Sequence, residues 1–226
     1  MKIHELIEAY KTDHLSTFHK LRYCSKQDHN NILKRIVALY GDVDLRNINA
    51  RTILSWYADW SKDGKIAMGQ SFIKRFRTVL GFGLTLLEDE DCKRLRIVMS
   101  TLRFDGSKPR TEALTFQQVV QICKVAHHKK WHSIALAQAF QFELMLRQKD
   151  IIGEWTPKTE VESSNIFYKN KIWTRGISWS EIDHNLVLRH TTSKKQKPIE
   201  VDLKECQLVM SELKRFIGGG VCLAGH

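Results

Sequence analysis

Proline is scarce in this chain, with three residues in 226, and its 12 glycines follow no triplet period. Collagen-like, low-complexity and largely disordered classes are thereby excluded, since 42% of the residues are hydrophobic and 27% charged. Long apolar runs are missing as well. No stretch approaches the ~20 residues that a membrane span needs, and the opening Met1-Lys2-Ile3-His4-Glu5 has no apolar leader; the expectation is a cytoplasmic protein without a membrane partner. The five cysteines (Cys24, Cys92, Cys123, Cys206 and Cys222) are odd in number and contain no Cys-x-x-Cys pair. Neither a disulfide framework nor a zinc knuckle is indicated.

Acidic charge is in short supply. Lys and Arg number 36 against 25 Asp and Glu, a net charge of +11. Up to residue 107 there are 18 basic and 13 acidic residues, and after it 18 and 12, so the excess is not confined to a tail. A polyanionic partner suits this balance because neutralised phosphates release counterions; a basic surface that binds no nucleic acid is the plainer alternative.

The first hundred residues read as helical. Ile3, Leu6, Ile7 and Tyr10 form one apolar stripe, and Leu33, Ile36, Val37 and Tyr40 form a second between a candidate cap at Asp28 and a stop at Gly41. Ile53, Trp56, Tyr57 and Trp60 share a third face after a cap at Asn49, with Gly64 closing the segment. A fourth helix is predicted over 67–87 with Phe72, Phe76, Val79 and Leu80 inward, weakened late by Gly81 and Gly83, and a fifth over 89–102. The turn-rich, charged segment 104–110 reads as a linker. Beyond it, Thr115 and Gln118 form a capping box, and a further helix is predicted over 132–145. The period then changes. Ile177 with Trp179, then 186–188, then Ile199, Val201 and Leu203 read as three short strands of an antiparallel sheet, before a last helix over 204–216.

One block concentrates chemistry. Arg147 ends an apolar helical run, Asp150 follows three residues later, and Ile151-Ile152 comes next; downstream, the turn Thr192-Ser193-Lys194-Lys195 joins two alternating strands. An Arg-x-x-(Glu/Asp)-apolar-apolar block, an alternating hairpin and a lysine in its turn, in that order, resemble the tyrosine recombinases, the bacteriophage integrase family. The resemblance covers most of the chain. It implies a mostly α protein of two domains: a helical, SAM-like core-binding domain at 1–107, and at 108–226 the first part of an α+β catalytic domain with a small three-stranded antiparallel sheet. It makes Arg147 the first catalytic arginine, Asp150 the acid that supports it and Lys194 the hairpin lysine, with Lys195 as a rival. The implied partner is double-stranded DNA of attachment-site type, with oligomerisation on it and no cofactor or metal. The chemistry of these residue types agrees: a guanidinium can donate two parallel hydrogen bonds to non-bridging phosphate oxygens, and a lysine can protonate a leaving 5′-oxygen. Lys74, Arg75 and Arg77, opposite the Phe72 and Phe76 face, are candidate DNA-binding residues, or else the wet side of an amphipathic helix.

The sequence also departs from the family pattern. Leu144 and Met145 stand where a small Thr-Gly pair often precedes the arginine. The recombinase reaction needs a His-x-x-Arg block and a nucleophilic tyrosine after the hairpin. The five tyrosines, Tyr10, Tyr23, Tyr40, Tyr57 and Tyr168, all precede Lys194, and the only His-x-x-Arg is His19 to Arg22. The expectation is a truncated, catalytically incomplete copy whose patternless tail, 217–226, resembles the end of an interrupted reading frame. Two other readings remain open. One is a helical protein-interaction adaptor using exposed aromatics such as Trp131. The other is a metal-dependent phosphate-ester hydrolase using His127, His128 and His132, for which the sequence offers no neighbouring carboxylate and no second ligand pair beside the Cys123/His127 and His128/His132 spacings.

Overall fold

The computed structural model describes residues 1–109, 111–159 and 164–217, with the side chains of 216 and 217 left aside. The patternless tail after 217 lies outside the described residues. The chain divides into two compact units, Met1–Arg110 and Thr111–His226.

Apolar spacing dictates the first unit. Helices α1 (Ile3–Thr12), α2 (Tyr23–Tyr40), α3 (Ala50–Ser61) and α5 (Glu90–Thr101) all pack on α4 (Ile66–Leu86). Each of the four residues of the α1 stripe is buried, as are Ile53, Trp56, Tyr57 and Trp60 of α3. The centre is aromatic. Tyr40 stacks on Trp56 with ring centroids 4.0 Å apart, Trp60 on Phe72 at 5.2 Å, and Phe72 on Phe76 at 5.7 Å. Each fully buried ring contributes roughly 2–3 kcal/mol relative to exposure. The Asn49 side chain accepts from the Thr52 amide as the cap of α3, and Asp89 does the same for α5 through the Cys92 amide.

One expectation is corrected by this unit. Asp28 lies inside α2 rather than at its start, because the helix begins five residues earlier behind an extended Arg22. Helix α4 runs through Gly81 and Gly83 to Leu86; a Cβ at Gly83 would strike the Cys92 sulfur and Leu6, so that glycine lets α4 close on α1 and α5. Phe104 and Asp105, from the segment read as linker, are held on this unit: the Phe104 ring packs 4.9 Å from Tyr57, whose hydroxyl donates to the Asp105 carbonyl at 2.9 Å.

The second unit is α+β. Helix α6 (Phe116–His128) starts at the Thr115/Gln118 capping box, and α7 (His132–Leu144) packs between α6 and α9 (Gln207–Ile217). Both Glu143 carboxylate oxygens accept amides at the start of α9, from Leu208 at 3.0 Å and Val209 at 2.7 Å, so an acid on α7 caps its neighbour. The short α8 (Gln148–Ile152) leads into a three-stranded antiparallel sheet of order β1-β3-β2, built from β1 (Glu154–Pro157), β2 (Phe167–Tyr168) and β3 (Lys171–Thr174). Strands β4 (Val187–Thr191) and β5 (Pro198–Asp202) pair separately as a hairpin. Two of the predicted strands, 186–188 and 199–203, are β4 and β5, but they pair as this hairpin, and the small three-stranded sheet is built from other segments. The segment holding Ile177 and Trp179 forms a buried residue followed by a short 3-10 turn at Trp179–Glu181, and the sheet instead uses 2- and 4-residue strands too brief to show a period.

Candidate functional site

Helix α7 ends on Met145, an exposed residue in the left-handed conformation with φ +53°. This reversal sets Arg147 at the start of α8 in an extended conformation, with its side chain 53% exposed. One turn on, the Asp150 side chain is 1% exposed, and its Oδ2 lies 3.9 Å from Arg147 Nη1. Its other oxygen, Oδ1, accepts the backbone N–H of Ser193 at 2.6 Å.

Ser193 opens the turn between β4 and β5. Thr192 accepts at its carbonyl from the Gln196 amide at 2.9 Å and donates its own amide to the Lys197 carbonyl at 3.0 Å, which closes a compact loop with Lys194 and Lys195 exposed on it. The structure therefore brings Arg147, Asp150 and the lysine-bearing turn together across 43 residues of chain. It does not separate Lys194 from Lys195, both of which are solvent-facing.

Charge accumulates behind the turn. Burial pushes the Asp150 carboxyl up, but hydrogen bonds from the Ser193 hydroxyl and amide, with the charges of His190 and Arg147, outweigh it and hold the group below its ordinary value. His190 points inward from β4 and is buried, with Nδ1 2.9 Å from Glu181 Oε1. Burial likewise raises Glu181, and contacts with His190 and the Ser178 amide reverse it. Asp150 is thus a carboxylate pinned between a guanidinium and a hairpin, with an imidazole at its back. Ser193, His190 and Glu181 were not singled out in the sequence. The inward alternation of His190 along β4 was the available signal.

The three basic residues of α4 separate. Lys74 and Arg77, with Arg96 of α5, line a shallow cleft of about 650 Å³. Arg77 is structural as well as basic: its Nη2 donates to the Met99 carbonyl at 2.7 Å and its guanidinium lies 5.5 Å from the Phe104 ring centre. Burial, then the charges of Arg96 and Arg103, push it below its ordinary value. Arg75 does not line this cleft, and its charge acts on His29 instead. Burial, then Arg75, drive His29 down to about 4, and the neutral ring sits 3.2 Å from the Tyr10 hydroxyl. Lys74 stays exposed. Arg96 and Arg103 join this cationic face only through the packing of α5 and of the segment beyond its C-terminus.

Two of the three histidines read as a metal candidate contact each other. His127 Nε2 lies 2.6 Å from Glu212 of α9, and its Nδ1 3.0 Å from His132 Nδ1. Folding supplies the carboxylate that the local sequence lacked, but among the described residues no group of three ligands could hold a metal ion.

No protein-family model and no curated protein matches the chain. Solved structures do. Over its full length the chain resembles lambda integrase in a dimer bound to a COC′ core site, at 15% identity and TM-score 0.70, spanning 57% of that chain. It resembles the 75–356 fragment of lambda integrase in a dimer on the same type of site at 14% identity and TM-score 0.73, spanning 74%. It also resembles lambda integrase in a tetramer bound to a Holliday junction at 15% identity and TM-score 0.67, spanning 58%. The chain thus spans less than two thirds of two of these three integrase chains, and what they share with it is the fold.

Proposed function

With an integrase-like fold as the premise, we propose that this chain is a DNA-binding protein of the tyrosine recombinase type, engaging duplex DNA through the Lys74/Arg77/Arg96 face of its first unit and a backbone phosphate through Arg147 and Lys194 of its second. The observation that carries the reading is the Asp150 carboxylate, which ties Arg147 and the lysine-bearing turn into one place. Arg147 can donate two parallel hydrogen bonds to a phosphate, and a hairpin lysine beside it adds a cation or a proton. The solved relatives on a core site and on a Holliday junction support DNA as the ligand and assembly upon it. The 226 residues contain no tyrosine after Lys194. The reading therefore assigns binding and phosphate recognition to these residues, not covalent cleavage on their own.

The test is a titration against attachment-site-like and random duplexes at several salt concentrations, with a nicked trap substrate alongside. Affinity should fall steeply with salt, without a covalent adduct. Salt-independent or absent affinity overturns the reading, and an adduct overturns its catalytic part. One observation favours the adaptor reading: Trp131 stands half-exposed beside a half-exposed Ile134, with Lys129 Nζ 4.8 Å from the Trp131 ring centre. Loss of all DNA affinity together with retention of a protein partner lost on Trp131→Ala would establish it instead.

A further inference from the structure

The three-stranded sheet projects a feature that the Arg147 site does not use. In β3, Ile172 and Thr174 face inward and are buried, while Lys171 and Trp173 face the other way. Trp155 pairs with Trp173, and Tyr168 with Lys171, so these four share that face; Trp155 and Trp173 line a cavity with Ile134, Phe140 and Ile152, while the Trp155 and Tyr168 rings meet edge-on at 6.0 Å towards the free end. At the free end, β2 consists of Phe167 and Tyr168 alone, and these rings are 58% and 59% exposed. Each carries a cation: Lys158 Nζ lies 5.4 Å from the Phe167 ring centre and Lys169 Nζ 5.3 Å from that of Tyr168. Among the described residues, Lys158, Lys169 and Lys171 have no carboxylate partner.

Neighbouring residues of a strand point to opposite faces, so the tip offers two ring platforms, one on each side, hemmed by three ammonium groups. Phe167 has no donor or acceptor with which to read a base edge. Its usable surface is its π-face, and bases present a matching face only when they leave the stack. Stacking on aromatic rings with lysines on the backbone is the chemistry of single-strand binding.

We propose that the β2–β3 tip is a second nucleic-acid contact, specific for unpaired nucleotides: bases stack on Phe167 and Tyr168 while Lys158, Lys169 and Lys171 take the adjoining phosphates. This goes beyond the duplex reading and uses different residues.

The experiment measures the anisotropy of labelled oligothymidylate, of a fully paired duplex and of the same duplex with a central unpaired bubble, against the whole chain and its Phe167→Leu/Tyr168→Leu variant. Leucine keeps an apolar strand residue and removes the π-face. The variant should lose about tenfold or more in affinity for oligothymidylate and bubble and keep its duplex affinity. Lys169→Glu, a surface change that leaves both rings in place, should show the same selective loss. Addition of oligothymidylate should quench the fluorescence of Trp155 beside Tyr168 in the wild type alone. Equal affinities of variant and wild type for oligothymidylate, or an equal loss on all three probes, overturn the proposal. Failure of the wild type to bind the paired duplex overturns the duplex reading above, and the oligothymidylate comparison still decides this one.

Discussion

The backbone amide of Ser193 donates a 2.6 Å hydrogen bond to the buried Asp150 carboxylate, joining the tip of a hairpin to the first turn of a helix 43 residues earlier. Arg147 reaches the other oxygen of the same carboxylate at 3.9 Å. The acid fixes the hairpin and faces the half-exposed guanidinium.

Asp150→Ala should therefore act on stability before it acts on any ligand. It strands the Ser193 amide in a buried place, which costs about 2 kcal/mol. Urea denaturation is expected to show that loss, and Asp150→Asn, which keeps an acceptor, a smaller one. An unchanged midpoint for the alanine variant would mean that the hairpin is held by other contacts.

Acid should destabilise the protein in two steps. His29 has a folded value near 4 against 6.5, so its contribution is complete above 6.5 and is lost as the pH falls from there towards 4, on the order of 2–3 kcal/mol. Asp150 and Glu181 are held below 3.8 and 4.5 respectively; their contribution is present above those values and disappears as the pH drops through their lower folded values. His29→Gln keeps a polar partner for Tyr10 and cannot titrate. Its stability between pH 6.5 and 4.5 should be flat where the wild type declines, with the lower step retained. A wild-type-like decline in the variant would place the titrating group elsewhere.

Lys74 and Arg77 share a cleft but should fail differently. Lys74→Ala, on an exposed side chain, should leave the urea midpoint unchanged and weaken duplex binding. Arg77→Ala removes a donor to the Met99 carbonyl and a cation from the Phe104 ring, and should lower stability by about 1–2 kcal/mol. Equal stability of the two variants would contradict the structural role given to Arg77.

Met145 adopts a left-handed conformation that disfavours any side chain with a Cβ. Met145→Gly should raise stability by about 0.5–1 kcal/mol, the relieved strain exceeding the added freedom of the unfolded chain. A loss would show that the Met145 side chain makes a contact worth more than the strain. A glycine would make this reversal freely, so Met145 makes it at a conformational cost.

Helices were legible because burial repeats every three or four residues: the stripe Ile3, Leu6, Ile7 and Tyr10 and the caps Asn49 and Thr115 stand where periodicity and side-chain chemistry place them. Strands β1 to β3 were not, because two to four residues complete no more than two periods, and Pro157 and the lysines disguise them. At the site, Arg147, Asp150 and Lys194 could be named from their order, but their meeting could not be read locally. The Asp150–Ser193 bond is a product of tertiary packing, as are the split of Arg75 from Arg77 and the arrival of Glu212 at His127.

A double-mutant cycle on duplex affinity, with Arg147→Ala, Lys194→Ala and the pair together at fixed salt, shows whether the two cations act on one phosphate. Two cations sharing one phosphate should show a coupling of at least about 0.5 kcal/mol. Effects of Arg147 and Lys194 that add to within about 0.3 kcal/mol would place the two side chains on separate ligand atoms and contradict the shared site.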